Sequence, residues 1–246
     1  MFRNHEDYIW GFNCYALALY KTESWSLADA HMSNHRHLVV QTEAPEKLML
    51  LNRLAYTRHM NTKYQRKGPL GENGYFSIEL EGIYHLLAAI SYTLRNALHH
   101  GVASTPYAYP HCSANAIFRR ESGKFLDEKT IPSSQVYRHV SRRAVFPDKY
   151  KMTESGIFLR ESVLDIPQVE NLFVTPRSFN YYMTRKSSEE WDKEQSKDGN
   201  GLAPVNLHII ENGINMHSPK QMSIFESGKT DYRNMTDIEL CTMLDN

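Results

Sequence analysis

The stretch Met32-Ser33-Asn34-His35-Arg36-His37-Leu38-Val39-Val40 sets two imidazoles one residue apart at the head of an apolar, β-branched run. β-Branched residues suit the pleated surface of a strand, and along a strand residues i and i+2 leave the same face. His35 and His37 are therefore expected side by side, with Arg36 sent to the opposite face. Two imidazole nitrogens aimed at one point make half a metal site. The simpler alternative is a polar strand end carrying two solvated histidines.

The flanking sequence supplies the rest of an α+β frame. A helix is expected from about Glu6 to Tyr20, with Asn4 as N-cap and Ile9, Phe12, Ala16 and Leu19 on one stripe. Trp25 to His31 and His35 to Gln41 read as paired strands joined by Met32-Ser33-Asn34. A second helix starts after Pro45 and runs to about Tyr64, marked by Leu48, Leu51, Leu54 and Ala55. Tyr75-Phe76-Ser77-Ile78-Glu79-Leu80 alternates like a strand after the Asn73-Gly74 turn. Ile83, Leu86, Leu87, Ile90 and Leu94 then give a third helix, which Gly101 stops. The order αββαβα with an antiparallel sheet predicts a ferredoxin-like arrangement lacking its first strand.

The third helix carries the second constellation. Tyr92 and Asn96 stand at i and i+4, so a phenol and an amide project from one face near its C-terminal end. Here the chain resembles the HUH single-tyrosine transposases, most closely their REP-associated branch. The family pattern Met-Pro-Asn-His-U-His, with U apolar, is matched by Met32-Ser33-Asn34-His35-Arg36-His37. A basic segment of the form Tyr-Thr-Arg-x-x-Asn-x-x-Tyr-x-Arg-x-Gly is matched from Tyr56 to Gly68, and the helix pattern Tyr-x-x-x-Asn-Pro-Val-x-x-Gly by Tyr92, Asn96, Ala97, Leu98 and Gly101. The resemblance spans roughly Phe2 to Arg119, and its specificity lies in the order and spacing of the three motifs together.

The resemblance implies cleavage and rejoining of single-stranded or hairpin DNA, with Tyr92 attacking a phosphodiester to leave a 5′-phosphotyrosine and a free 3′-hydroxyl. His35, His37 and Asn96 would then hold a divalent ion, Mg2+ or Mn2+. The chemistry needs such groups: a phenol with a pKa of about 10 is a poor nucleophile at neutral pH, and a phosphodiester repels anions. A cation on the non-bridging oxygens offsets that charge and aligns the bond for in-line displacement. Imidazole with amide oxygen suits such ions, and no cysteine lies near either motif to suggest structural zinc. Three departures point to the alternative, a cleavage-poor nucleic-acid-binding protein that kept the scaffold. Arg36 fills the apolar U position, Glu72-Asn73-Gly74-Tyr75-Phe76 replaces the family's Gln-Gly-Arg-Phe turn, and Met1 sits where the first strand would precede. With that strand missing, an open sheet edge is expected to be filled by C-terminal residues or by a second copy of the chain.

Net charge is zero over 246 residues, so no global basic field exists, but local asymmetry does. Lys47, Arg53, Arg58, Lys63, Arg66 and Lys67 share a stretch without any acid and are interleaved with Tyr56, His59 and Tyr64. Cations that track phosphates beside rings that stack on bases suit single-strand binding, the alternative being a solvated helix face. Arg138 to Lys151 is a second basic stretch. No run approaches the roughly 18 apolar residues of a membrane span, no charged-then-apolar leader opens the chain, and the three scattered cysteines offer no disulfide framework, so a cytoplasmic protein without a membrane partner is expected. Residues 1–119 are expected to form the catalytic domain and 120–186 an accessory region with short helices at Val169 to Phe173 and Pro176 to Met183. The polar stretch 187–201 reads as a linker, and 202–246 as a terminal segment ending in a short helix capped by Thr236 or Asp237.

Overall fold

The computed structural model describes residues 1–70, 75–121, 129–185, 188–199, 201–202, 205, 222–224 and 230–232. Helix α1 (His5–Lys21) starts where Asn4 Oδ1 accepts from the Asp7 amide at 3.1 Å, the side-chain cap that the first turn's unpaired N–H groups require. Strands β1 (Trp25–His31) and β2 (Arg36–Gln41) pair antiparallel, with Ala30 opposite His37 and His31 opposite Arg36. Helix α2 (Pro45–Lys63) begins on its proline, and α3 (Ile83–His99) follows. The α+β frame is present, and its first four elements lie within a residue or two of expectation.

Pleating sorts the hairpin's side chains between two layers. Asp29, His31 and Arg36 face α1 and α2, where His31 lies against the rings of Phe2, Phe12 and Tyr15. Ala28, Ala30, Val39 and His37 face α3, where Ile90 and Leu94 are fully buried in the main hydrophobic cluster. Each such side chain contributes about 2 kcal/mol by burial, so α3 is fixed against the sheet mainly by its apolar face. Its end is equally defined: the Gly101 amide donates to Leu98 O and the Val102 amide to Ala97 O, with Gly101 at φ 69°, a Schellman closure that favours glycine.

The strand expected over Tyr75–Leu80 does not form. Its burial alternates as expected, with Ile78 and Leu80 packed against the cluster beneath α3, yet no hydrogen-bonded ladder joins it to the hairpin. Alternation reports which side chains turn inward, whereas a strand also needs a partner edge. The sheet beside α3 therefore has two strands rather than the four of a ferredoxin-like fold, among the described residues. The outer edge of β1 is closed from within the chain: the His31 amide donates to His111 O, Ser113 to Asp29 O, and Asp165 to Ser26 O. The first residues hook over the hairpin turn instead of adding a strand, with the Phe2 amide donating to Ser33 O at 2.9 Å.

Beyond α3 come short helices α4 (Ser133–Val136), α5 (Arg160–Val163), α6 (Ile166–Phe173) and α7 (Pro176–Thr184). Asp165 and Thr175 cap the last two, each ahead of a proline in the first turn. The polar stretch expected to be a linker forms α8 (Ser188–Gln195) instead, and Trp191 packs on the main cluster with its ring 5.2 Å from Tyr182. Just after it, Asp198 Oδ1 and Oδ2 accept from the amides of Tyr84 and His85, capping α3 from 114 residues away. A Cβ on Gly82, at φ 96°, would strike that carboxylate, so only glycine admits the cap. Both large clusters draw residues from either side of position 119: Val136 to Leu164 pack on α1, and Val169 to Met183 join α3. A hairpin of β3 (Met222–Ile224) and β4 (Thr230–Tyr232) is also present. The Glu72 turn and the expected terminal helix with its Thr236 or Asp237 cap lie outside the described residues.

Candidate active site

The four residues of the two sequence constellations meet between β2 and α3. His35 stands at the mouth of β2 and His37 one pleat further, with ring centroids 4.8 Å apart and planes at 87°. Asn96, fully buried, brings Oδ1 to 3.3 Å from His35 Nε2, and the Tyr92 ring meets His37 edge-on at 5.4 Å. The strand's period of two and the helix's i, i+4 spacing each present a pair, and packing α3 across the hairpin makes the pairs converge.

One imidazole nitrogen here, His37 Nε2, has no protein partner. His35 Nδ1 lies 2.6 Å from Asn34 Oδ1, so it donates there, and Nε2 keeps its lone pair. That lone pair faces the Asn96 side-chain amide at 3.3 Å, whose nitrogen donates to it in one of the amide's two orientations and whose oxygen faces it in the other. His37 Nε2 and Asn96 Nδ2 are buried with no hydrogen-bond partner, a costly state for buried polar groups. A cation among His35, His37 and the Asn96 oxygen would answer the orphaned His37 nitrogen. Asn34 would act as the outer partner that fixes the ring's tautomer. Burial, reinforced by His35, His100 and His99, holds the His37 imidazolium far below its usual range, so His37 stays neutral as a ligand must. Among the described residues no three His, Cys, Asp or Glu side chains come together as a metal-binding group, so a site here needs the Asn96 amide as its third ligand.

Tyr92 is enclosed. It is 8% exposed, and the exposed His99 ring stacks on it at 5.6 Å and 25°. Attack on a phosphodiester from this position requires the phenol to be uncovered first.

On the far face, Arg36 is answered not by an acid but by a cage. Its guanidinium lies 4.9 Å from the Phe2 ring centroid and 4.7 Å from that of Tyr56, and Nη1 donates to Asn52 Oδ1 at 3.0 Å. A Cβ on Gly11 would collide with Phe2 and with Arg36 Nη2, so α1 approaches this closely only through a glycine. The departure from the apolar U position is thus absorbed by the layer behind the strand and does not reach the histidines.

The basic stretch of α2 stands apart from this site. Asn52 and Tyr56 of α2 meet Arg36, whereas Tyr92 of α3 meets His37, so the two helices cover opposite faces of the hairpin. Lys47, Arg58 and Lys67 are exposed, and Arg53 and Arg66 are partly so. Lys63 is tied to α1 through Glu6 at 2.7 Å and Asp7 at 2.8 Å, making it a strut between helices rather than an open cation. On α3 itself the buried Arg95 stands three residues after Tyr92 and shares the Trp191 ring with Arg185, and no sequence motif marked either. Comparison of the chain with protein-family models, with curated proteins and with solved structures returned no match.

Proposed function

We propose that the protein cleaves and rejoins single-stranded DNA through Tyr92, with a divalent ion, Mg2+ or Mn2+, held by His35, His37 and Asn96. The observation that carries this reading is that two imidazoles, one amide and one phenol ring pack together between β2 and α3, with an orphaned imidazole nitrogen that a cation would satisfy. Binding or packing alone needs no such set. When bound, the ion supplies charge neutralisation at the non-bridging phosphate oxygens. The Tyr92 oxygen forms a bond to the phosphorus, the bond from phosphorus to O3′ breaks, and the phenol's proton is lost while the leaving oxygen gains one. Asn34 orients His35, and burial keeps His37 deprotonated through the cycle.

A second reading, nucleic-acid binding without cleavage on the same scaffold, is favoured by one observation: the near-complete burial of Tyr92. The two separate on metal dependence. Labelled hairpin DNA incubated with the protein and Mn2+ is cut, chelation abolishes cutting, and His37→Ala depresses it with partial recovery at excess Mn2+. Cutting that persists in chelator overturns the metal assignment, and the absence of cutting across several DNAs supports the binding reading.

A further inference from the structure

The second basic stretch of the sequence, Arg138 to Lys151, folds into a loop pinned from beneath. Val140, Ala144 and Tyr150 are buried in the cluster over α1. Between them the Ala144 amide donates to Ser141 O and the Tyr150 amide to Pro147 O, which fixes the turns of the backbone. Burying those three side chains sends their neighbours outward, so Arg138, Arg142, Arg143, Lys149 and Lys151 are all exposed. None of the five forms a salt bridge among the described residues, and Asp148 is the one acid in the stretch. Aromatic rings stand beside these cations. Lys149 Nζ lies 4.2 Å from the ring centroid of Trp25, which is 44% exposed at the start of β1. Tyr137, 43% exposed, rests on Phe146, which in turn meets the buried Phe158, so the exposed ring is held from behind. The basic stretch of α2 has the opposite arrangement. Tyr56 is buried against Arg36, Tyr64 donates to Asp7, and His59 is stacked on Trp10, so its rings are taken up within the protein.

We propose that the 138–151 loop, together with Trp25 and Tyr137, is a binding surface for a single-stranded nucleic acid. Such binding needs cations that follow the phosphates and aromatic faces on which unpaired bases stack, and this surface holds both in the open. Trp25 and Lys149 supply one contact for a base and its phosphate, and Tyr137 with the adjoining Arg138 supplies another. Arg142 and Arg143 lie in the loop between them, where a guanidinium fork matches two phosphate oxygens at once. Val145 is the one large aliphatic side chain the loop exposes, less than a lipid-facing surface would bury. The surface shares no residue with the centre at Tyr92, so strand binding here stands or falls separately from cleavage there.

The test is the anisotropy of labelled oligothymidylate titrated with the full chain in chelator, so that neither metal nor cleavage contributes. Trp25→Leu weakens binding about tenfold, the loss expected for one stacked base, whereas Trp25→Phe, which keeps an aromatic face, recovers most of it. Arg142→Gln, Arg143→Gln and Lys149→Gln combined lower the slope of log affinity against log salt by about 2, or about 0.7 for each single-strand phosphate. The melting temperature of that variant stays near wild type, because the three side chains are exposed and unpaired with acids. An unchanged slope in the triple variant overturns the proposal, as does equal binding by Trp25→Leu and wild type. Duplex DNA bound as tightly as oligothymidylate also overturns it, since paired bases offer no face to stack on. A slope lowered by Lys47→Gln, Arg58→Gln and Lys67→Gln on α2, but not by the loop substitutions, moves the strand to α2 and overturns it too. Vesicles of phosphatidylcholine and phosphatidylserine that bind the chain while oligothymidylate does not overturn nucleic acid as the ligand. The absence of any covalent product at Tyr92, beside intact losses in the loop variants, refutes the nucleophile and supports this surface.

Discussion

His31 is 1% exposed, packed among three aromatic rings, and 3.4 Å from the Asp29 carboxylate. Burial lowers its pKa to about 4, with Asp29 opposing that shift and Arg36 adding to it. His111, stacked on Tyr8 at 3.8 Å, is lowered to about 3 for the same first reason. The unfolded chain protonates such groups near pH 6.5, whereas the folded one resists. Stability from both is therefore complete above about pH 6.5 and lost as the pH falls toward 4. Thermal melts between pH 7 and 4 are expected to show a falling melting temperature, and His31→Phe, which suits the surrounding rings, is expected to flatten that fall. A variant whose curve parallels wild type would show that His31 does not carry the acid sensitivity. The side-by-side placement of His35 and His37 was legible in the sequence because it depends on a period of two and on nothing distant. The Arg36 cage was not, because Phe2, Asn52 and Tyr56 reach it from two other elements and no local pattern announces them.

Among elements, α3 matters most, since it carries Tyr92 and Asn96, and its two ends are held differently. The C-terminal end is closed by local Schellman bonds that Gly101 makes possible, which the sequence shows. The N-terminal end is capped by Asp198, which no window of sequence around Ile83 could reveal, and which turns a polar stretch resembling a linker into part of the site's support. Asp198→Ala is expected to destabilise the protein by about 1 kcal/mol, the usual worth of a side-chain cap, measured by denaturant unfolding. A change within about 0.3 kcal/mol would place the cap in solvent competition and free α3 from it. Gly82→Ala should cost more than Asp198→Ala, since it adds a positive-φ penalty to the lost cap. The Tyr75–Leu80 stretch shows the opposite case: a correct reading of which side chains point inward gave the wrong element, because hydrogen-bond partners are a property of the neighbours.

At the scale of the whole molecule, the boundary expected after Arg119 divides hydrophobic clusters that the fold shares. Val169, Phe173 and Met183 complete the layer over α3, and Phe158 and Val163 complete the layer over α1. A fragment ending at Arg119 is expected to lack a cooperative thermal transition, and a fragment melting like the full chain would restore that boundary. The second half was hard to read because its contribution is packing against distant elements, which leaves short amphipathic helices but no motif. The two-stranded hairpin with helices on both faces brings the candidate nucleophile and ligands together while keeping the basic α2 on the other side. The most direct test of the central claim is a denaturing gel of labelled single-stranded hairpin DNA with the protein and Mn2+, wild type beside Tyr92→Phe. The account predicts a slow covalent band with wild type and none with Tyr92→Phe, which keeps the ring and its packing. A band of equal intensity in both would show that Tyr92 is not the attacking residue.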